Sequence, residues 1–361
     1  MTWDAVVVGG GPAGSAVAIE LGRRGMRVAL LEKARHPRPK ACGEGLLPHG
    51  VAALERLGID VPGVRVKGIR YVSPGGVTAE ADFPGAARGR VIRRETFDAC
   101  LFDAAARTPN VEAFQETPYD PSRWTSRWVI GADGLHSQFH RRPEFPASPP
   151  AVRRVGLTTH ARGLEVDRER VEVILHEGGE VYLAPSEGDE ALVACLYREE
   201  DLPPGPSNAD RVLHTLLSLD VLRGRLRGVR LTTPVLGAGP LGLRVGAIAT
   251  DDTLLVGDAA GAPDPVTGEG MSLALLSAGA AAEAISAGRP RDYEKSRRRL
   301  AAGADWLGRW ILRASRYPAI ADRVIQSLVD HPELFAKLLE IATGARREGE
   351  LSLTDLARLV V

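Results

Sequence analysis

The chain has 361 residues, 44% of them hydrophobic, enough for one large or two intertwined domains around a substantial core, so disorder is excluded as the default. Lys plus Arg and Asp plus Glu both total 46, and no overall field therefore favours nucleic acid, an anionic membrane or an acidic ligand. The three cysteines, Cys42, Cys100 and Cys195, are odd in number, far apart and without metal-ligand spacing, which argues against a disulfide framework or a bound metal and fits a reducing cytoplasm.

Met1-Thr2-Trp3-Asp4 leads into an apolar run, Ala5 to Val8, too short and wrongly flanked for a signal peptide. No later stretch approaches the roughly 20 apolar residues that cross a bilayer. Ala5 to Val8 reads as a strand buried on both faces. It ends in Gly9-Gly10-Gly11-Pro12-Ala13-Gly14, then Ser15 to Gly25 is helical in composition and Arg27 to Leu31 is a second apolar run. Residues 5 to 32 thus predict a βαβ unit with a right-handed crossover, in a Rossmann-like α/β domain with a parallel sheet. Gly68 to Ala81 and Arg154 to Leu196 alternate and are β-branched, predicting a second, mixed or antiparallel sheet that serves as the substrate domain. Leu254 to Val256 returns to the first domain and opens through Gly257-Asp258 into an Ala-rich helix from about Met271 to Ala287. Helices follow over Tyr293 to Arg316, Ala319 to Leu328 and Pro332 to Ile341. The first domain is expected in three pieces, 1–67, 91–150 and 246–290, with substrate-domain strands over 68–90 and 151–245 and a helical region over 291–361.

Gly9-x-Gly11-x-x-Gly14 stands between strand and helix. Gly9 permits the tight turn, Gly11 lets the backbone approach a pyrophosphate, and Gly14 lets helix and strand pack closely. With Ala13 they place a diphosphate at a helix N-terminus, and Glu32 at the end of the next strand is the acid expected to accept from a ribose diol. The alternative is a glycine-rich turn with no ligand. Two further turns follow apolar runs: Gly131-Ala132-Asp133-Gly134-Leu135-His136-Ser137, and Gly257-Asp258 with Asp264-Pro265-Val266-Thr267-Gly268-Glu269-Gly270-Met271.

These motifs, in this order, resemble the flavoprotein hydroxylases (aromatic monooxygenases) and the geranylgeranyl reductases, which share one FAD-binding fold; the resemblance covers roughly residues 3 to 290. It implies that Asp258 binds a ribityl hydroxyl of FAD and that the turn through Gly268, Gly270 and Met271 offers N–H groups to the flavin N1/O2 edge. It also implies that Arg94 reaches the cofactor, its alternative being a helix-surface ion pair. Asp133 and Ser137 resemble a motif that supports cofactor and passing nicotinamide. Lys40-Ala41-Cys42-Gly43-Glu44-Gly45 resembles the reductases' Cys-Gly-Gly stretch, where Cys42, Gly43 and Gly45 pass close to the ring. Cys42 is otherwise a buried small hydrophobe, no directly neighbouring cation arguing for a thiolate. His49 is a candidate acid or base, or a structural histidine. The β-meander that the hydroxylases place before Asp133 does not fit into Val111 to Arg127, which puts in doubt the covering of the adenosine half.

The leading expectation is an FAD-dependent monooxygenase that hydroxylates a small aromatic or polyketide-like substrate through a flavin C4a-hydroperoxide; Glu180 to Pro185 resembles the strand that floors such a pocket. The alternative is a reductase of isoprenoid double bonds. Cys42-Gly43 favours it, as does an apolar stripe of Trp306, Trp310, Ile311, Tyr317, Leu334, Phe335, Leu338 and Leu339, which lines a tunnel, touches a membrane surface or forms core. A third reading is a non-catalytic prenyl or partner carrier of the same fold. NAD(P)H is expected as a transient donor, or a separate reductase protein in its place, because no second glycine-rich fingerprint occurs.

Overall fold

The computed structural model describes residues 3–360. Met1, Thr2 and Val361, the outermost residues of the expected segments, lie outside it. Five parallel strands form the first sheet, in the order Thr253–Leu255, Ser126–Gly131, Trp3–Val8, Val28–Leu31, Val111–Phe114. Val6 pairs with Ala29 on one side and Val129 on the other, and Ala5, Val6 and Val7 are fully buried. Helices Pro12–Arg23 and Arg94–Ala106 cover this sheet, and Gly270–Ser286 packs on Pro12–Arg23. From Trp3–Val8 the chain builds outward through Val28–Leu31, then crosses back to set Ser126–Gly131 on the other side. The strand order therefore reverses between Trp3–Val8 and Ser126–Gly131, and the crevice outside the carboxyl ends of such strands is where open α/β sheets bind ligands.

The second sheet has eight strands. Seven run in the order Leu226–Leu231, Arg154–Leu164, Ala191–Arg198, Gly179–Pro185, Arg170–His176, Gly68–Val72, Thr78–Asp82, and Leu236–Ala238 also pairs with Arg154–Leu164. Its pairings are antiparallel except Gly68–Val72 with Arg170–His176, which is parallel; the sheet is mixed. Helix Asn208–Ser218 packs Val212 and Leu216 on one face, against Leu157, Val181 and Leu183. Helices Pro318–Asp330 and Pro332–Ala342 pack on the other, where Phe335 lies 5.8 Å from Tyr71. Burial on both faces explains why Val181 to Ala184 reads as continuous apolar sequence. The C-terminal stripe divides: Leu334, Phe335, Leu338 and Leu339 are core, Trp306 and Ile311 pack at its edge, and Tyr317 is 60% exposed.

The connection between Val111–Phe114 and Ser126–Gly131 contains no further strand. Trp124 instead folds onto Trp3 and Phe114, with ring centroids 6.4 and 5.0 Å away. No helix among the described residues is long and apolar enough to cross a membrane.

Candidate active site

Four strands of the first sheet deliver chemistry at their carboxyl ends. Val8 is followed by the glycine turn, Leu31 by Glu32, Gly131 by Asp133, and Leu255 by Gly257-Asp258. Adjacent parallel strands end side by side, so turns more than a hundred residues apart line one cavity of about 730 Å³.

Gly9 and Gly14 have the turn and packing geometry that their spacing predicts. Gly9 has φ +109, the left-handed side that side chains avoid. A Cβ on Gly14 would lie 1.9 Å from the Gly9 carbonyl oxygen, so helix Pro12–Arg23 sits on the turn at a distance only glycine allows. A Cβ on Gly11 would meet nothing closer than Arg38, at 3.9 Å, leaving its backbone open to the cavity. Around Gly43, Gly268 and Gly270 added carbons would find no neighbour within 4 Å, and around Gly45 only the Gly43 oxygen at 3.8 Å. The cavity is thus walled by open backbone at Gly11, at the Gly43–Gly45 loop and at the Gly268–Gly270 turn.

Glu32 is buried and accepts from the backbone N–H of Gly10 at 2.8 Å and of Ala34 at 2.9 Å, with Arg38 at 3.3 Å. Arg94 is also buried and makes a two-pronged pair with Asp98 at 2.8 and 2.9 Å. Arg94 is thus ion-paired with Asp98, but buried on the cavity wall and not on a helix surface. Arg94 and Cys42 line the same cavity, so besides Lys40 two residues before it Cys42 gains a cation nearby from a helix distant in sequence. Cys42 and Asp258 line the cavity, and the Asp133 Oδ2 accepts from the Gln138 N–H at 2.9 Å. Met271 and Ala13 complete the lining.

His49 is bound at Nε2 to Glu269 Oε2, 2.8 Å away. Burial pushes the Glu269 carboxyl above its ordinary value, and His49 opposes that. The pair ties helix Pro48–Arg56 to the Gly268–Met271 turn, and His49 itself does not line the cavity. Several buried polar atoms of cavity residues have no partner in the protein: Asp133 Oδ1, Thr267 Oγ1, Glu269 Oε1 and Arg38 Nε. Such atoms are costly unless a ligand or water satisfies them, and they fit a long polar cofactor.

Three elements were not visible in the sequence. Lys40 reaches into the cavity, where burial, then Arg94, lowers its amine. Glu44, at φ +54, accepts from the Arg94 N–H at 3.1 Å and lies 3.0 Å from His160 Nε2, tying the Cys42 loop to the second sheet. Thr117, Pro118 and Tyr119 line the cavity, so the short connection that replaces the meander is itself a wall of the site.

A family model described as an FAD binding domain matches residues 2–67. The menaquinone reductase of Mycolicibacterium smegmatis is 28% identical, with 81% of this chain and 78% of that protein covered. Digeranylgeranylglycerophospholipid reductase 2 of Methanopyrus kandleri is 29% identical, covering 76% and 75%. Among solved structures, a flavin-dependent brominase superposes with TM-score 0.83 at 18% identity, over 99% of this chain and 97% of that one. A geranylgeranyl bacteriochlorophyll reductase-like protein of Thermoplasma acidophilum gives 0.78 at 21%, over 99% of both. These two likenesses concern the fold, while the matched domain and the curated relatives concern cofactor and enzyme class. With its glycine turn, acids and open backbone, the chain is an FAD-dependent oxidoreductase, similar in sequence to the reductases named above.

Proposed function

We propose that this chain reduces a carbon–carbon double bond of an isoprenoid lipid, in preference to hydroxylating an aromatic one. The observation that carries this reading is the cavity wall contributed by the second sheet. Ile69, Tyr71, Val173, Tyr182, Ala194 and Leu196 present one apolar surface. Tyr182 already donates its hydroxyl to the Val266 carbonyl at 2.8 Å, and burial holds the Tyr71 and Tyr182 phenols above their ordinary value, hence neutral. Such a surface offers no cation to a phenolate, whereas each methylene it covers contributes about 0.8 kcal/mol without any polar contact. A prenyl chain suits it. Two of the relatives are named for reducing menaquinone and a digeranylgeranyl lipid, which supports the same choice.

In this reading Gly9, Gly11, Ala13 and Gly14 would hold the diphosphate of FAD, Glu32 and Arg38 would hold the adenosine ribose, and Asp258 would take a ribityl hydroxyl. The N–H groups of the turn from Gly268 to Met271, tied to His49 through Glu269, would stabilise the reduced flavin. Arg94, Asp133 and the Cys42-Gly43-Glu44-Gly45 loop would help to hold the ring. The bound flavin supplies the hydride; the protein's part is to hold the alkene against it and exclude water. NAD(P)H or a separate reductase restores the flavin. The protein works in the cytoplasm and meets its lipid at a membrane surface, where the exposed Tyr317 and Ile320 offer an apolar contact.

The test is to reduce the FAD-loaded protein chemically without oxygen and add menaquinone or a geranylgeranyl lipid. The expected result is flavin reoxidation with a product heavier by two hydrogens, a gain that for menaquinone persists after the quinone head has been reoxidised in air. A product that gains oxygen, and only in air, favours the hydroxylase instead; a protein that retains no FAD favours the carrier.

A further inference from the structure

A second cavity, of about 930 Å³, lies between helix Asp292–Ala314, the ribbon of Ala147–Ser148 with Arg244–Val245, and the Gly179 end of the second sheet. Ala262, Pro263 and Asp264 line both this cavity and the flavin cavity, so the two share a wall. Helix Asp292–Ala314 turns one face to it, with Arg297, Ala301, Asp305, Arg309 and Arg313 at four-residue steps.

The charges of this cavity are not balanced by the protein. Arg154 is taken by Glu180 and Asp264, Arg198 by Asp201, and Arg298 lies near Glu294. Arg244, Arg297, Arg309, Arg313 and Arg316 line the same space and form no ion pair among the described residues. The remaining carboxylates there are Glu177 and Asp305. Arg297 is only 6% exposed, its Nε is buried without a partner, and its hydrogen bond from Nη2 to the Gly261 carbonyl is long, at 3.3 Å. A buried guanidinium with an unsatisfied N–H is unfavourable, and like charges four apart, as in Arg309 and Arg313, weaken a helix. An anion lodged in the cavity relieves both.

We propose that this second cavity binds the phosphate-bearing end of a small ligand, with Arg297 at its floor and Arg244, Arg309 and Arg313 around it. The planar guanidinium fork matches phosphate oxygens two at a time. A concave site with a buried floor suits a small molecule, because carboxylates on the surface of an acidic protein do not reach Arg297. The shared wall places a ligand anchored here next to the flavin cavity at Asp264. Two sources supply this chemistry, a nicotinamide dinucleotide that donates electrons and a prenyl lipid with a phosphate headgroup. The inference is independent of which bond the flavin reduces.

The test is calorimetric titration of the FAD-loaded protein with sodium pyrophosphate, NADP+ and geranylgeranyl diphosphate, in the wild type and in the R309A/R313A double variant. Both arginines are exposed and lie outside the flavin site, so FAD content serves as the control for folding. Arg297→Lys is the second variant. The expected result is salt-sensitive pyrophosphate binding that weakens about tenfold or more in the double variant, with FAD content unchanged. The organic ligand that competes with pyrophosphate identifies the source. Absence of pyrophosphate binding to the wild type, or equal affinity in wild type and double variant, overturns the proposal. None of these outcomes bears on the double-bond reading, which is tested by product mass.

Discussion

Replacing Gly14 with alanine asks whether the glycine turn is a matter of protein packing or of cofactor binding. The new Cβ would stand 1.9 Å from the Gly9 carbonyl oxygen and 3.1 Å from the Ala132 Cβ. A carbon–oxygen contact relaxes at about 3.3 Å, so helix and turn must separate by more than an ångström, against neighbours that are backbone and cannot rotate away. Overpacking of this kind costs about 1–3 kcal/mol, and the upper end applies because nothing flexible yields. For a chain of this size that lowers Tm by about 5 °C. The assay is thermal unfolding of the apoprotein, followed by FAD retention on a desalting column. Gly11→Ala is the control: its φ of -77 suits alanine, and its Cβ has no neighbour nearer than 3.9 Å. Its apoprotein is expected to be as stable as wild type, or up to about 1 kcal/mol more stable, while FAD is lost. If apo Gly14→Ala unfolds at the wild-type temperature, the helix–turn contact does not set the site and the reasoning fails.

Three further outcomes follow from the same geometry. Asp258→Ala removes a carboxylate from the cavity wall and is expected to weaken FAD binding by about 1–3 kcal/mol, well beyond Cys42→Ala; equal retention in fluorescence titration removes Asp258 from the site. Tyr182→Phe breaks the bond that joins the second sheet to the flavin turn at Val266 and should cost about 1 kcal/mol in denaturant unfolding, with an unchanged midpoint refuting the link. Burial lowers His176 from 6.5 to about 4, with Nε2 unpartnered. Between those values the unfolded chain takes up a proton that the folded one refuses, so this contribution is complete above pH 6.5 and lost as pH falls toward 4, by at most about 3 kcal/mol. His176→Leu should flatten that acid limb; an unaltered pH profile of Tm excludes the assignment.

Much of the cofactor domain was legible because its signals are local. An apolar run that ends in glycine and resumes as a helix states its own turn, and Gly9, Gly14, Glu32, Asp133 and Asp258 could each be named from the residues beside them. The tertiary structure decided what those turns do together. They converge because the strand order reverses between Trp3–Val8 and Ser126–Gly131, a consequence of long-range pairing that no window of sequence contains. The same holds for Arg94 beside Cys42, for the bond from Glu44 to His160 across 116 positions, and for the parallel pairing of Gly68–Val72 with Arg170–His176. In helix Asp292–Ala314 the tryptophans drew attention as an apolar stripe, yet its arginines become a cavity wall only once the ribbon at Arg244 and the sheet end at Glu180 close over them. Local propensity and pattern act through neighbours along the chain, whereas a site is defined by neighbours across it.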